Sequence, residues 1–285
     1  MRFHALEPGM RYDQRRPPAP LDAFVESIWI CENEPRPCRL ERILPHGAAQ
    51  LLVNLKEDET RSYHAANGSC LRSPGAIVAG MATRFQIIDT DEQEHVVGVS
   101  FRPGGTTAFF ATPAHDLCDV DVPLDALWGA QGTALLREAL LAAPRAEAKL
   151  DVMERALTVA WRERALHPAV AFALADFRAR PSLTRIAAVT DRISLSPKRF
   201  IERFKAEVGV TPKRYCRLLR FQRAVTRAHA GARLDWSQVA LGCGYFDQAH
   251  LIHDFQAFAG LTPTAYQASR TAFQNHVIFL QSGGE

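Results

Sequence analysis

The sequence has no apolar run of the roughly 18–20 residues that a membrane-spanning helix needs. Its N-terminus lacks a signal-peptide core, because Glu7, Arg11, Asp13, Arg15 and Arg16 interrupt every apolar stretch. A cytoplasmic protein is expected. Cysteine is sparse: six in 285 residues, at positions 31, 38, 70, 118, 216 and 243, with no C-x-x-C pair. That spacing does not support zinc or thioredoxin-like chemistry, and free thiols in a reducing compartment are expected. The usual enzyme motifs are missing: there is no G-x-S-x-G, H-E-x-x-H, P-loop or G-x-G-x-x-G. His46, His64 and His95 lie in the first half without an H-x-H cluster, which argues against a metal-binding cupin. No catalytic residue, metal or cofactor is therefore assigned. Two small features take structural readings. Arg102-Pro103-Gly104-Gly105 reads as a tight turn rather than an anion nest, and Cys243 as a packed thiol.

What is present is ordinary in amount and uneven in placement. A content of 47% hydrophobic and 23% charged residues fits a globular chain, and 285 residues suffice for two domains. The net charge is only +3. Between Pro168 and Arg270, however, 16 Lys and Arg face 7 Asp and Glu, a net of +9. The remainder holds 18 basic and 24 acidic residues, a net of −6. A basic C-terminal part on an acidic remainder points to a polyanionic partner for that part alone.

The two parts also differ in texture. The first 20 residues, rich in Arg and Pro, read as an extended arm, and Leu21–Ile30 as a strand or short helix. Strand-like runs follow at Ala49–Leu55, Gly75–Gly80, Arg84–Ile88 and Glu94–Arg102, the last alternating Val97, Val99 and Phe101. Leu51, Val53, Ile77, Ile87, Val97, Val99 and Phe101 are the candidate core of this half. After Pro103-Gly104-Gly105 the pattern turns helical. A short helix is expected at Thr106–Ala111, with longer ones at Gln131–Ala143 and Arg145–Leu166. Pro168 opens the next helix and Pro181 marks its end; from there on only helices are expected. The fold class is α+β: a β-rich, barrel- or sandwich-like domain with a helical extension over 1–165, then an all-α domain over 166–285.

An internal repeat decides the function of the second domain. Phe204–Tyr215 and Phe255–Tyr266, 51 residues apart, both read F-x-A-x-x-G-[VL]-T-P-x-x-Y. One structural unit is used twice. Each unit reads as helix, tight turn, helix. In the first, Leu183–Arg192 leads, Ser196 caps, Pro197 opens the second helix, and Phe200, Ile201 and Phe204 face inward. In the second, Trp236–Leu241 leads, Asp247 caps, and Leu251, Ile252 and Phe255 face inward. Gly209 and Gly260 end the second helices. Pro212 to about His229 forms one helix between the units, roughly 27 Å long at 1.5 Å per residue. That length is comparable to the roughly 34 Å of one DNA turn.

Residues 180–270 resemble the AraC/XylS family of transcription regulators. C-G-Y-F-D-Q-A-H-L-I-H-D-F-Q-A-F-A-G-L-T-P (243–263) and S-P-K-R-F-I-E-R-F-K-A-E-V-G-V-T-P (196–212) carry the likeness. The segments I-L-P-H-G (43–47), L-L-V-N-L (51–55) and V-S-F-R-P-G-G-T-T-A-F-F (99–110) resemble an effector-type domain found ahead of such regulators. Ser194 and Gln267 depart from the family's usual turn glycine and arginine. The resemblance implies a sequence-specific DNA-binding regulator, effector binding or homodimerisation, and control of RNA polymerase recruitment. Whether it would act as an activator or a repressor is not legible.

The outward faces of the second helices are the candidate base readers: Lys198, Arg199, Glu202 and Arg203, then Gln248, Ala249, His250 and His253. Asp254 is expected on the outward face too, but solvated. Arg185, Arg192, Lys213, Arg214 and Arg217 are candidate phosphate contacts. In the β-rich half, His46 and Arg84 are the candidate polar anchors for a small-molecule effector. An architectural DNA binder without a ligand is the main alternative, and an enzyme built on the N-terminal domain a further one.

Overall fold

Two antiparallel sheets build the N-terminal half of the computed structural model, which describes residues 10–34, 40–179, 189, 192–193, 195–231 and 234–279. The strands are β1 (Met10–Arg15), β2 (Val25–Asn33), β3 (Leu40–Ile43), β4 (Gln50–Asn54), β5 (Glu59–Tyr63), β6 (Cys70–Pro74), β7 (Ala76–Ala79), β8 (Gln86–Asp89), β9 (His95–Phe101), β10 (Asp121–Pro123) and β11 (His276–Ile278). The larger sheet runs β1-β2-β9-β4-β7-β10 and the smaller β11-β3-β8-β5-β6. Strand alternation gives the larger sheet two unlike faces. One carries Ile28, Ile30, Leu51, Val53, Val97 and Val99, all at most 1% exposed. It packs on helices α1 (Leu124–Trp128), α2 (Ala130–Ala142) and α3 (Ala146–Ala160) through Leu136, Leu140, Leu150, Met153 and Leu157. Lys149 is buried there, and its ammonium donates to the carbonyls of Leu140 (2.9 Å) and Ala143 (2.5 Å). This answers the unpaired acceptors at the C-terminal end of α2 with a positive charge.

The opposite face of that sheet is more polar and looks toward the smaller sheet. Registered neighbours share a face, so Asp121, Ala79, Gln50 and Ser100 form one row across β10, β7, β4 and β9. The next row is Trp29, Gly98, Leu52 and Ile77. Ile77 thus lies on this face, not with Leu51 and Val53. The expected extended arm is also a strand from Met10 on, paired to β2. Leu21–Ile30 divides into a 3-10 turn at Leu21–Ala23 and β2. The predicted helix to Leu166 stops at Ala160. There Arg162 N donates to Ala108 O, and the chain crosses so that Leu166 lies against Gly104.

The second half is built from α4 (Pro168–Ala179), α5 (Pro197–Val208), α6 (Pro212–Ala230), α7 (Trp236–Cys243), α8 (Gln248–Ala259) and α9 (Pro263–Ser269). Phe177, Phe204 and Tyr215 meet with ring centroids 5.8–6.4 Å apart, and Phe221 joins Phe255 and Phe258 at 5.0–5.1 Å. Such rings, all but Phe258 fully buried, are the centre of the helical core. Leu44, Met81 and Val277 belong to the same apolar cluster, so the core runs on into the β-rich half.

The expectation of helices to the end fails at β11. This strand follows α9, returns to the β-rich half and pairs antiparallel with β3, His276 opposite Ile43 and Ile278 opposite Glu41. His276 Nδ1 lies 2.9 Å from Glu41 Oε2. Three residues are too few for a periodic signal, and their pairing depends on a partner more than 230 positions away.

Candidate nucleic-acid interface and ligand cavity

The two repeat units are built alike. Ser196 accepts from Arg199 N at the start of α5, and Asp247 from His250 N at the start of α8. Thr211 and Thr262 cap α6 and α9 in the same way, through Arg214 N and Ala265 N, each followed by proline at the first helical position. Gly209 (φ 103°) and Gly260 (φ 64°) end α5 and α8 in the left-handed region. In the second unit α7, a turn through Gly244 (φ 84°) and α8 are all described, and Ser237 Oγ donates to Gln248 Oε1 across the turn at 3.1 Å. Of the leading helix of the first unit, only Val189 is described as helical; Arg185 and Ser194 lie outside the described residues.

Lys198, Arg199, Glu202 and Arg203 are exposed on α5, and Gln248, Ala249, His250 and His253 on α8. Arg203 is held by Glu207 at 2.6 Å, whose other oxygen accepts from His167 N. The candidate phosphate contacts divide. Lys213 is exposed, and Arg192 is exposed over the Phe172 ring. Arg214 is turned to the β-rich half, donating to Thr83 Oγ1 at 2.6 Å. Arg217 lies 2.6 Å from Asp254, with its guanidinium over Phe258. Asp254 is fully buried, which corrects the expectation of a solvated carboxylate. On α8 alone it falls on the outward side, but α6 supplies a cation that covers it. Exposed Lys205, Arg223 and Arg227 were not singled out from sequence, since no motif marks them.

A cavity of about 480 Å³ lies between the two sheets of the β-rich half. On one wall Tyr12 and Trp29 stack at 5.9 Å. The indole lies over Gly98, where a Cβ would sit 2.2 Å from Trp29 Cζ2, and its nitrogen donates to Ser100 Oγ. Phe273 and His276, from the segment after α9, complete this wall. Asp121 lines the cavity from β10, and Gln86 Nε2 on the facing sheet approaches its two oxygens at 3.3 and 3.4 Å. Burial raises the Asp121 carboxyl, and Gln86 only partly opposes this. Elsewhere in the lining, Arg61 lies within 3.0–3.2 Å of Asp89, Asp91 and Glu92. Burial raises Glu92 to about 7.

Neither predicted anchor belongs to this lining. Arg84 is exposed. His46 packs outside the cavity, where burial, and secondarily the charge of His276, lower it to about 4. The residues missed are Trp29, Asp121, Phe273 and His276, which come together only through sheet register. Among the described residues no cluster of His, Cys, Asp or Glu could hold a metal ion, and no helix is long and apolar enough to cross a membrane.

Residues 189–269 match the family model described as a helix-turn-helix domain, and residues 13–123 match that of a domain of unknown function, DUF6597. The capped helices and this match define a helix-turn-helix DNA-binding transcription regulator. Its helix-turn-helix domain is of the AraC type, and a DUF6597 domain precedes it. No curated protein matches the chain. Among solved structures, it is similar to the xylose-binding transcription activator XylR at 23% identity and a TM-score of 0.32, covering 38% of this chain and only 28% of that one. The DNA-binding domain of AdpA, in complex with a target DNA, aligns at 22% identity and 0.33, covering 36% and 92%. ToxT from Vibrio cholerae, bound to (E)-4-(8-methylnaphthalen-1-yl)but-3-enoic acid, aligns at 9% identity and 0.47, covering 81% and 98%.

Proposed function

We propose that the protein reads two adjacent major-groove segments with α5 and α8, and that a small molecule held between its sheets tunes this binding. The observation that carries the DNA part is the equivalence of α5 and α8: each is capped by a side chain, ended by a left-handed glycine and exposed along a polar face. Helix α6, 19 residues or about 28 Å long, joins the units as a rod close to one DNA turn. Lys198 and Arg199 suit guanine edges or phosphates, Glu202 a cytosine amine, and Gln248 an adenine, while Ala249 suits a thymine methyl. Lys213 and Arg192 take phosphates. Arg214 and Arg217 have internal partners and serve to position the helices.

The effector part rests on the cavity. Its volume falls in the range of small-molecule sites, and part of its wall is the segment that leaves α9. A ligand there would contact both halves of the chain, so it can bind two arrangements of them with different affinity, which regulation requires. The cavity is what favours this reading over a ligand-free architectural binder. A homodimer recruiting RNA polymerase in the cytoplasm is the wider setting of this proposal.

The test is a binding-site selection with the full-length protein, followed by titration of the selected duplex in rising salt. Two conserved blocks about one helical turn apart are expected. Log affinity should fall linearly with log salt, at about 0.9 per phosphate neutralised. Recovery of no preferred sequence, together with salt-insensitive affinity, would overturn the proposal.

A further inference from the structure

The cavity contains a charge without a counter-charge. Its lining carries one cation, Arg61, the imidazole of His276, and two carboxylates, Glu92 and Asp121. Arg61 is surrounded by Asp89, Asp91 and Glu92 within 3.0–3.2 Å, and His276 faces Glu41 at 2.9 Å. Neither the Arg61 guanidinium nor the His276 Nδ1 is free for an anionic ligand. Asp121, by contrast, has only the long amide contacts from Gln86, and no cation pairs with it among the described residues. A half-buried carboxylate at a cavity wall is costly unless a positive or hydrogen-bonding group answers it.

The far end of the same cavity is aromatic. Trp29 belongs to β2 but leans over Gly98 of β9, and β9 is separated from the Asp121 strand by β4 and β7. Three interstrand spacings of about 4.8 Å put roughly 14 Å between the two ends at the backbone. Between them the floor is Leu52, Ile77 and Ala79, with Gln50 as a polar side group.

Resting on the effector reading above, we infer that the ligand is an elongated organic amine, its ammonium on Asp121 and its apolar or aromatic end on Trp29 and Tyr12. A carboxylate ligand of the same shape would meet Asp121 with no cation to offset it. The Asp121–Gln86 contact joins the two sheets, so an ammonium there would replace a weak amide bridge by a charge-assisted one. Trp29 belongs to β2 and Phe273 to the segment that returns from α9, and the apolar end of the ligand touches both.

Three probes of one shape and different charge test this: 4-phenylbutylamine, 4-phenylbutan-1-ol and 4-phenylbutyrate, titrated calorimetrically into the full-length protein. The amine should bind about tenfold more tightly than the alcohol, the difference between an ion pair and a hydrogen bond from a neutral donor, and the acid most weakly. Asp121→Asn should remove the preference for the amine over the alcohol, and Asp121→Glu should retain it. If Asp121→Asn does not fold, the wild-type ranking and Asp121→Glu decide the matter. Binding of the alcohol or the acid at least as tightly as the amine would overturn the inference while leaving an effector cavity in place. Failure of all three to bind at millimolar concentration would overturn it together with the effector reading.

Discussion

Replacing Gly260 with alanine tests whether the end of α8 is held against the β-rich half. Two costs are separable. Gly260 has φ 64°, and a Cβ in that left-handed conformation costs about 1–2 kcal/mol. The added Cβ would also lie 2.4 Å from Phe85 Cε1 and 2.8 Å from Cζ. Phe85 belongs to the other half of the molecule and has the Arg42 guanidinium over its ring at 5.3 Å, so it has little freedom to retreat. Overpacking of this kind adds about 1–3 kcal/mol. In a Phe85→Ala background the backbone cost stays and the clash disappears. Urea unfolding of the four proteins in a double-mutant cycle should therefore show a coupling of about 1–3 kcal/mol. Equal cost of Gly260→Ala in both backgrounds would refute the packing of Phe85 on the second helix-turn-helix unit.

Further outcomes are expected. Lys198→Ala and Gln248→Ala should relax base preference at two positions about one helical turn apart, each by roughly 1–3 kcal/mol, in a binding-site selection; a shift of one shared base by both would contradict the two-groove arrangement. Gly98→Ala should push the Trp29 indole off β9, because its Cβ would fall 2.2 Å from the ring, and cost about 1–3 kcal/mol; unchanged tryptophan emission and melting temperature would disprove the close approach. His46 is held near 4 in the fold against about 6.5 in the unfolded chain, so the unfolded chain takes up the proton first. Stability should therefore fall as pH drops from 6.5 toward 4, by up to about 3 kcal/mol from this group. His46→Gln should flatten that part of the pH–stability curve, and an identical slope in the variant would exclude His46 as its source.

Much of the architecture was legible where the signal is local. Strands β4, β7, β8 and β9 stand out because Leu51, Val53, Ile77, Val97 and Val99 alternate or cluster between Gly and Pro. The repeat is equally readable, since Ser196, Asp247, Gly209 and Gly260 act within one turn of their own helices. Strands β3, β5 and β6 were hidden by Glu41, Arg42, Glu59, Arg61 and Arg72. Their charges look like loop chemistry until cross-strand and loop partners answer them, as Arg72 is answered by Glu59 and Arg61 by Asp89. Asp254 was misplaced for the same reason, its partner being on another helix. The cavity was the least legible feature. Tyr12, Trp29, Asp121 and His276 share it only because register and topology fold four distant segments together. His46 and Arg84, polar residues beside apolar runs of the same half, lie outside the lining.

The return of β11 to β3 changes what kind of motion the helical domain can make. The domain leaves the β-rich half through residues 161–167 and comes back to it through the three-residue strand β11, seven residues after the end of its last helix, so it is a closed loop rather than a pendant. A latch of three residues at the edge of a sheet is among the first parts of a structure to open. Once open, it stays tethered at an effective concentration on the order of millimolar, so it recloses readily and opening is reversible without separating the domains. Because His276 is both latch and cavity wall, a ligand that seals the wall would shift the latch equilibrium by only its own differential affinity.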